Sequence, residues 1–148
     1  MPLERQLVVD LPNDLQRIEE TVDFVVSRCS TCDEVARKLR FNFRVSLCEA
    51  LANAMIYGNG RDPSKRVHVE VILDSGCLTA RITDEGSGFD PLRVPDPTLR
   101  QNLHKVGGRG LFIMQNLMDE VRFNAQGNCV TLVLQLSQSG REPTRASA

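Results

Sequence analysis

Apolar residues change their spacing several times along this chain, and each change marks an element. Near the N-terminus "RQLVVDL" (5–11) alternates weakly and is rich in Val and Leu, which predicts a strand. Asn13 or Asp14 then serves as a helix cap, and Leu15, Ile18, Val22 and Val25 or Val26 recur at spacings of three and four. That spacing predicts one apolar helix face running to about Cys29. "TCDE" is a break, with Thr31 or Asp33 as the next cap. A long helix is predicted from Glu34 to Tyr57, stopped by Gly58-Asn59-Gly60. In "RVHVEVILD" Val67, Val69, Val71 and Leu73 alternate with His68, Glu70 and Ile72, the pattern of a strand with one buried face. Asp74-Ser75-Gly76 turns the chain, and "CLTARITDE" returns as the second arm of an antiparallel hairpin.

From Gly86 to Gly110 the periodicity disappears, and Pro91, Pro95 and Pro97 punctuate a Gly-rich segment. A long irregular stretch inside a compact domain usually carries function, often as a lid over a ligand. After Gly110 a short helix, "LFIMQNLMD", precedes strands "EVRFNA" and "CVTLVLQL", joined at Gln126-Gly127-Asn128. Hairpins separated by helices imply an α+β two-layer sandwich, a mixed and largely antiparallel sheet covered on one face by helices. One domain is expected over residues 1–137. Residues 138–148 belong to a polar tail with little to bury and are expected to be disordered.

Composition narrows the class without naming a chemistry. A chain of 148 residues, 41 % hydrophobic and 25 % charged, is enough for one core and ordinary for a soluble domain. The net charge of −1 gives no general electrostatic reason to expect direct nucleic-acid or anionic-membrane binding. No apolar run approaches the roughly 20 residues that span a bilayer, so a cytoplasmic protein is expected. The 5 cysteines are odd in number and scattered, which suits reduced thiols. Cys29 and Cys32 have CxxC spacing, but a tetrahedral metal site needs a second ligand pair. Only His68 and His104 remain, and neither lies near another cysteine in sequence. The pair reads as two small thiols at a helix end.

Three clusters carry candidate chemistry. Glu49, Asn53 and Tyr57, four residues apart in "CEALANAMIYGNG", share one face of a 3.6-residue helix. "DEGSGF" (84–89) follows a strand directly, and "GGRGLF" (107–112) stands at a helix entrance. Glycines before a helix let backbone approach a ligand, and free N–H groups there attract anions. Each cluster alone has an ordinary explanation: an exposed polar patch, a turn with a solvated carboxylate, a Gly-rich connection. Walker-type and GxGxxG phosphate loops are both absent.

Taken together and in this order, the three clusters resemble the ATP-binding fold shared by gyrase, Hsp90, histidine kinases and MutL (GHKL). "EALANAMIYGN" is similar to that superfamily's N box, "DEGSGF" to its first glycine box and "GGRGL" to its second, and the fold can be laid over the chain to about Leu136. The chain's length, its short lid and the strings "GGRGLFIMQNLMDEV" and "DPTLRQNL" resemble more narrowly the stand-alone anti-sigma-factor serine kinases.

The resemblance implies ATP and Mg²⁺ as ligands. Asn53 would give a side-chain oxygen to Mg²⁺, and Glu49, one turn earlier, would take or orient the proton of an attacking hydroxyl. Asp84 would accept a hydrogen bond from the adenine amino group, with Gly86 and Gly88 leaving room for the base. Gly108, Gly110 and Leu111 would line the phosphates, with Arg109 or Lys105 as γ-phosphate partners. The implied protein partners are a sigma factor, held by a homodimer built near Arg5–Leu11, and a STAS-domain antagonist phosphorylated on serine. One departure is that the turn before the last strand reads Gly127-Asn128-Cys129, without the family threonine. Asn128 is a chemical substitute, and Thr131 is expected to face elsewhere. Two other readings stand beside the kinase: a non-catalytic ATP- or ADP-responsive partner switch, and the ATP-binding domain of a histidine kinase system. The last would need a separate phosphoacceptor chain, because the first helix holds no histidine.

Overall fold

The computed structural model describes residues 5–29, 37–74, 76–86 and 108–136. Strand β1 (Arg5–Pro12) leads through a short turn of helix, Leu15–Arg17, into α1 (Ile18–Cys29). Asp14 is the cap, and its carboxylate accepts the Gln16 N–H at 3.0 Å. Asn13, the other cap candidate, is used elsewhere. The expected caps Thr31 and Asp33 lie outside the described residues. The long helix is present, but it is not uniform. Its regular part, α2 (Arg44–Asn53), is flanked by wider π-type turns at Leu39–Phe43 and Ala54–Gly58.

Strands β2 (Arg66–Asp74) and β3 (Cys77–Asp84) form the expected hairpin, with Gly76 at φ 79° in its turn. Helix α3 (Gly108–Leu117) then precedes β4 (Glu120–Phe123) and β5 (Cys129–Gln135). The sequence places this last helix after Gly110, whereas it starts at Gly108. Glycines cost least in a first turn, where the leading N–H groups have no intrahelical partners.

The five strands lie in the order β1-β2-β3-β5-β4. All four pairings are antiparallel, so among the described residues the sheet has no parallel component. Alternation decides which face is covered. Leu11, Val67, Val69, Val71, Leu78, Ala80, Ile82, Val130, Leu132 and Leu134 all point to the helix side and are buried. Val22, Val25, Leu47, Leu51 and Met55 meet them from α1, α2 and its widened end. The other sheet face carries the Asp10–His68 hydrogen bond and the ion pairs Glu70–Arg81 and Glu120–Arg122. This is the α+β two-layer sandwich. No described helix is long and apolar enough to cross a membrane.

The expected irregular segment after Gly86 falls outside the described residues from 87 to 107, and so does the tail from 137 onward. Cys29, one of the CxxC pair, is buried at the end of α1. Cys32 is outside the described residues.

Candidate functional site

The buried row of β3 runs Leu78, Ala80, Ile82 and then Asp84. Period-two alternation therefore carries a carboxylate onto the core side, where it is only 9 % exposed. Its Oδ1 accepts the Gly86 N–H at 2.8 Å. Burial pushes its pKa above the usual carboxylate range, against the opposing pull of that N–H and of Lys65. A buried carboxylate at a strand end is expensive unless something else uses it.

Glycines close around Asp84. A β-carbon at Gly58 would overlap the Asp84 carboxylate, and one at Gly86 would overlap the Gly58 carbonyl oxygen. The end of the long helix and the turn after β3 therefore touch through backbone, which only side-chain-free residues allow. In sequence Gly58 reads as part of a helix stop. The left-handed residues at that stop are Gly60 and Arg61, at φ 62° and 61°. Gly58 is needed for space instead. The signal was a second glycine where a helix end requires only one.

A second contact lies one helix turn back. A β-carbon at Gly110 would lie 2.7 Å from Glu49 Oε1 and 3.1 Å from Asn53 Nδ2. The first turn of α3 thus sits directly on the face of α2 that bears Glu49 and Asn53. Its leading N–H groups, Gly108 to Gly110, have no intrahelical partners and form a positive end beside a carboxylate and an amide. Gly110 is buried, Arg109 is exposed, and the Leu111 side chain belongs to the core at 7 % exposure. Leu111 can therefore offer the site only its backbone. Gly88 and Lys105 lie outside the described residues.

Tyr57 is the third residue of the expected face. It is 50 % exposed, within the widened π-type end of the long helix from Ala54 to Gly58. Thr131 is on β5 opposite Arg81, at the alternate parity to buried Val130 and Leu132, so it faces away from Asp84. Asn128 is well placed along the backbone, since its carbonyl accepts the Asp84 N–H at 2.9 Å. Its side-chain oxygen is taken by Asn124 Nδ2 at 2.7 Å. His68 lies on β2 and pairs with Asp10 on the sheet face away from the helices; His104 is outside the described residues.

One helix thus carries both halves of the site. Glu49 and Gly58 are nine residues apart on it, so the two contacts lie at different points along its length. A carboxylate and backbone space occupy one end; a helix start, an amide and a second carboxylate occupy the other.

These features define a class, the GHKL-type ATP-binding sandwich, and comparison with known proteins agrees. The model of the histidine kinase-like ATPase domain matches residues 11–134. The chain belongs to that family. It is 33 % identical over 113 residues to the anti-sigma F factor of Geobacillus thermodenitrificans (strain NG80-2), covering 74 % of this chain and 73 % of that protein. It is 32 % identical over 122 residues to the anti-sigma F factor of Anoxybacillus flavithermus (strain DSM 21510 / WK1), covering 78 % and 80 %. Among solved structures, the blue-light activated histidine kinase of Erythrobacter litoralis EL346 matches with a TM-score of 0.54 at 20 % identity. That match covers 88 % of this chain and 43 % of the other, and it concerns the fold alone.

Proposed function

We propose that this protein is an anti-sigma regulatory factor that binds Mg²⁺ and ATP and phosphorylates a STAS-domain antagonist on serine. The observation that carries the reading is the shared helix. Asp84 meets it at Gly58, and the start of α3 meets it at Gly110 beside Glu49 and Asn53. The relatives named anti-sigma F factors supply the sigma-factor partner.

The donor set fits a nucleotide with its metal. Asn53 brings a neutral side-chain oxygen, which suits a hard cation that keeps several waters. Mg²⁺ supplies charge neutralisation of the phosphates when bound. Asp84 accepts from the adenine amino group, with Gly86 and Gly88 beside the base. The N–H groups of Gly108, Arg109 and Gly110 face the phosphates beside the Leu111 backbone, and the Arg109 or Lys105 side chain reaches the γ-phosphate. Glu49 takes the proton of the acceptor serine as its oxygen bonds to the γ-phosphorus and the bond to the bridging oxygen breaks, releasing ADP. The acceptor hydroxyl comes from the partner.

In the same reading the protein acts in the cytoplasm and works as a homodimer. Strand β1 is an edge of the sheet and leaves Val8 51 % exposed, which supports placing the dimer contact near Arg5–Leu11. The test is capture of sigma factors encoded in the same genome, with ATP present. A sigma factor retained with ATP and released by the unphosphorylated STAS protein is the expected result. Retention that ignores both nucleotide and STAS protein would overturn the reading.

A further inference from the structure

Asn59 is a buried polar side chain with three hydrogen bonds, and the nucleotide boxes leave it without a role. It is 2 % exposed, directly after the widened end of the long helix. Its Oδ1 accepts the Glu85 N–H at 2.8 Å. Its Nδ2 donates to Arg66 O at 3.0 Å and to Asn13 Oδ1 at 3.1 Å. Asn13 Nδ2 in turn donates to Asp62 O at 2.9 Å and Met55 O at 3.3 Å. The orientation of the Asn59 amide is fixed by chemistry, because only its oxygen can accept from a peptide N–H.

The network converges on the turn after β3. Asp84 N–H donates to Asn128 O, Glu85 N–H to Asn59 and Gly86 N–H to Asp84 Oδ1. All three consecutive N–H groups are thereby assigned, and the middle one depends on a single side chain. Glu85 is itself exposed, and its Oε1 accepts the Arg66 N–H at 3.0 Å, a contact to β2 rather than to the long helix. Without Asn59 the turn loses its tether to the long helix, and the close approach of Gly86 to Gly58 is no longer enforced.

We propose that Asn59 is a positioning residue for base recognition, holding the Asp84–Gly86 turn at the distance from Gly58 at which Asp84 can select adenine. This rests on the nucleotide reading given above. Asn59 touches no ligand in this account; it acts through the Glu85 amide on Asp84. Asn13 belongs to the same network but does not touch Glu85, and it separates positioning from plain stability.

The test is the ratio of ATP to GTP affinity, measured by equilibrium binding with Mg²⁺ on the full chain, beside thermal unfolding. Asn59→Ala is expected to lower the ratio about tenfold, the effect of losing one buried hydrogen bond. Asn13→Ala should lower the unfolding temperature and leave the ratio within about twofold. Asn59→Asp keeps the acceptor for the Glu85 N–H but sets its second oxygen against Arg66 O and Asn13 Oδ1, so it should lose stability, as Asn13→Ala does, and keep the ratio. An unchanged ratio in Asn59→Ala, or an equal loss in Asn13→Ala or Asn59→Asp, would overturn the inference. Wild-type protein that binds ATP no better than GTP would overturn the adenine reading, and the inference with it.

Discussion

Gly110 and Glu49 are in direct apposition: a β-carbon on the glycine would stand 2.7 Å from the carboxylate oxygen Oε1. The obstacle is the far end of a flexible side chain, so a methyl group there displaces the carboxylate rather than the backbone. Gly110→Ala should therefore fold normally. Phosphoryl transfer should fall about a hundredfold, the cost of misplacing a reacting group by an ångström. Unfolding curves and transfer rates on the same preparation check both halves.

Gly86→Ala is the contrasting case. Its methyl group would run into the Gly58 carbonyl oxygen, which is backbone and cannot rotate away. Overpacking of this kind costs about 1–3 kcal/mol. Denaturant unfolding should show that loss in the absence of nucleotide. A Gly86→Ala protein as stable as wild type would mean that the two backbone segments do not meet as described.

Asn53→Ala should weaken ATP binding in Mg²⁺ by at least about tenfold and leave binding in excess chelator little changed. Calorimetric titration under the two conditions gives the comparison. An equal loss under both would assign Asn53 to the nucleotide rather than to the metal.

Asp84 makes a prediction with a definite sign. Burial raises its folded-state pKa above the ordinary value of 3.8. The folded protein therefore holds this proton to higher pH than the unfolded chain does. Its contribution is most favourable below the unfolded value and is lost as pH rises through the raised folded value. Ionised Asp84 is a cost to the nucleotide-free protein at neutral pH. Asp84→Asn, which keeps an acceptor for the Gly86 N–H, should be at least as stable as wild type at pH 7. The advantage should shrink as pH falls toward about 4, and ATP affinity should drop at least about tenfold. A less stable Asp84→Asn protein at pH 7, measured without nucleotide, would contradict this.

The strands and helices were legible because their apolar residues follow periods of two and near four. Val67, Val69 and Val71 alternate in sequence and are all buried. Glu49 and Asn53 were legible as a pair for the same reason, and the structure brings both to Gly110. What periodicity could not show was where the period changes. The long helix widens after Asn53 and leaves Tyr57 half exposed, and no residue type announces such a turn. The start of α3 was misplaced by counting glycines as a preface to a helix they belong to. Gly58 and Asn59 were read as punctuation because their partners, Asp84 and Glu85, lie some 26 residues away in sequence.

Transfer of the γ-phosphate tests the central claim most directly. Wild-type protein and Glu49→Gln would be incubated with γ-labelled ATP, Mg²⁺ and a purified STAS-domain protein encoded beside this one. The account predicts serine labelling by the wild type and a fall of at least about a hundredfold in the variant, with ATP affinity kept. Wild-type protein that binds ATP and the STAS partner yet leaves its serine unlabelled, or a Glu49→Gln variant that labels it at the wild-type rate, would contradict it.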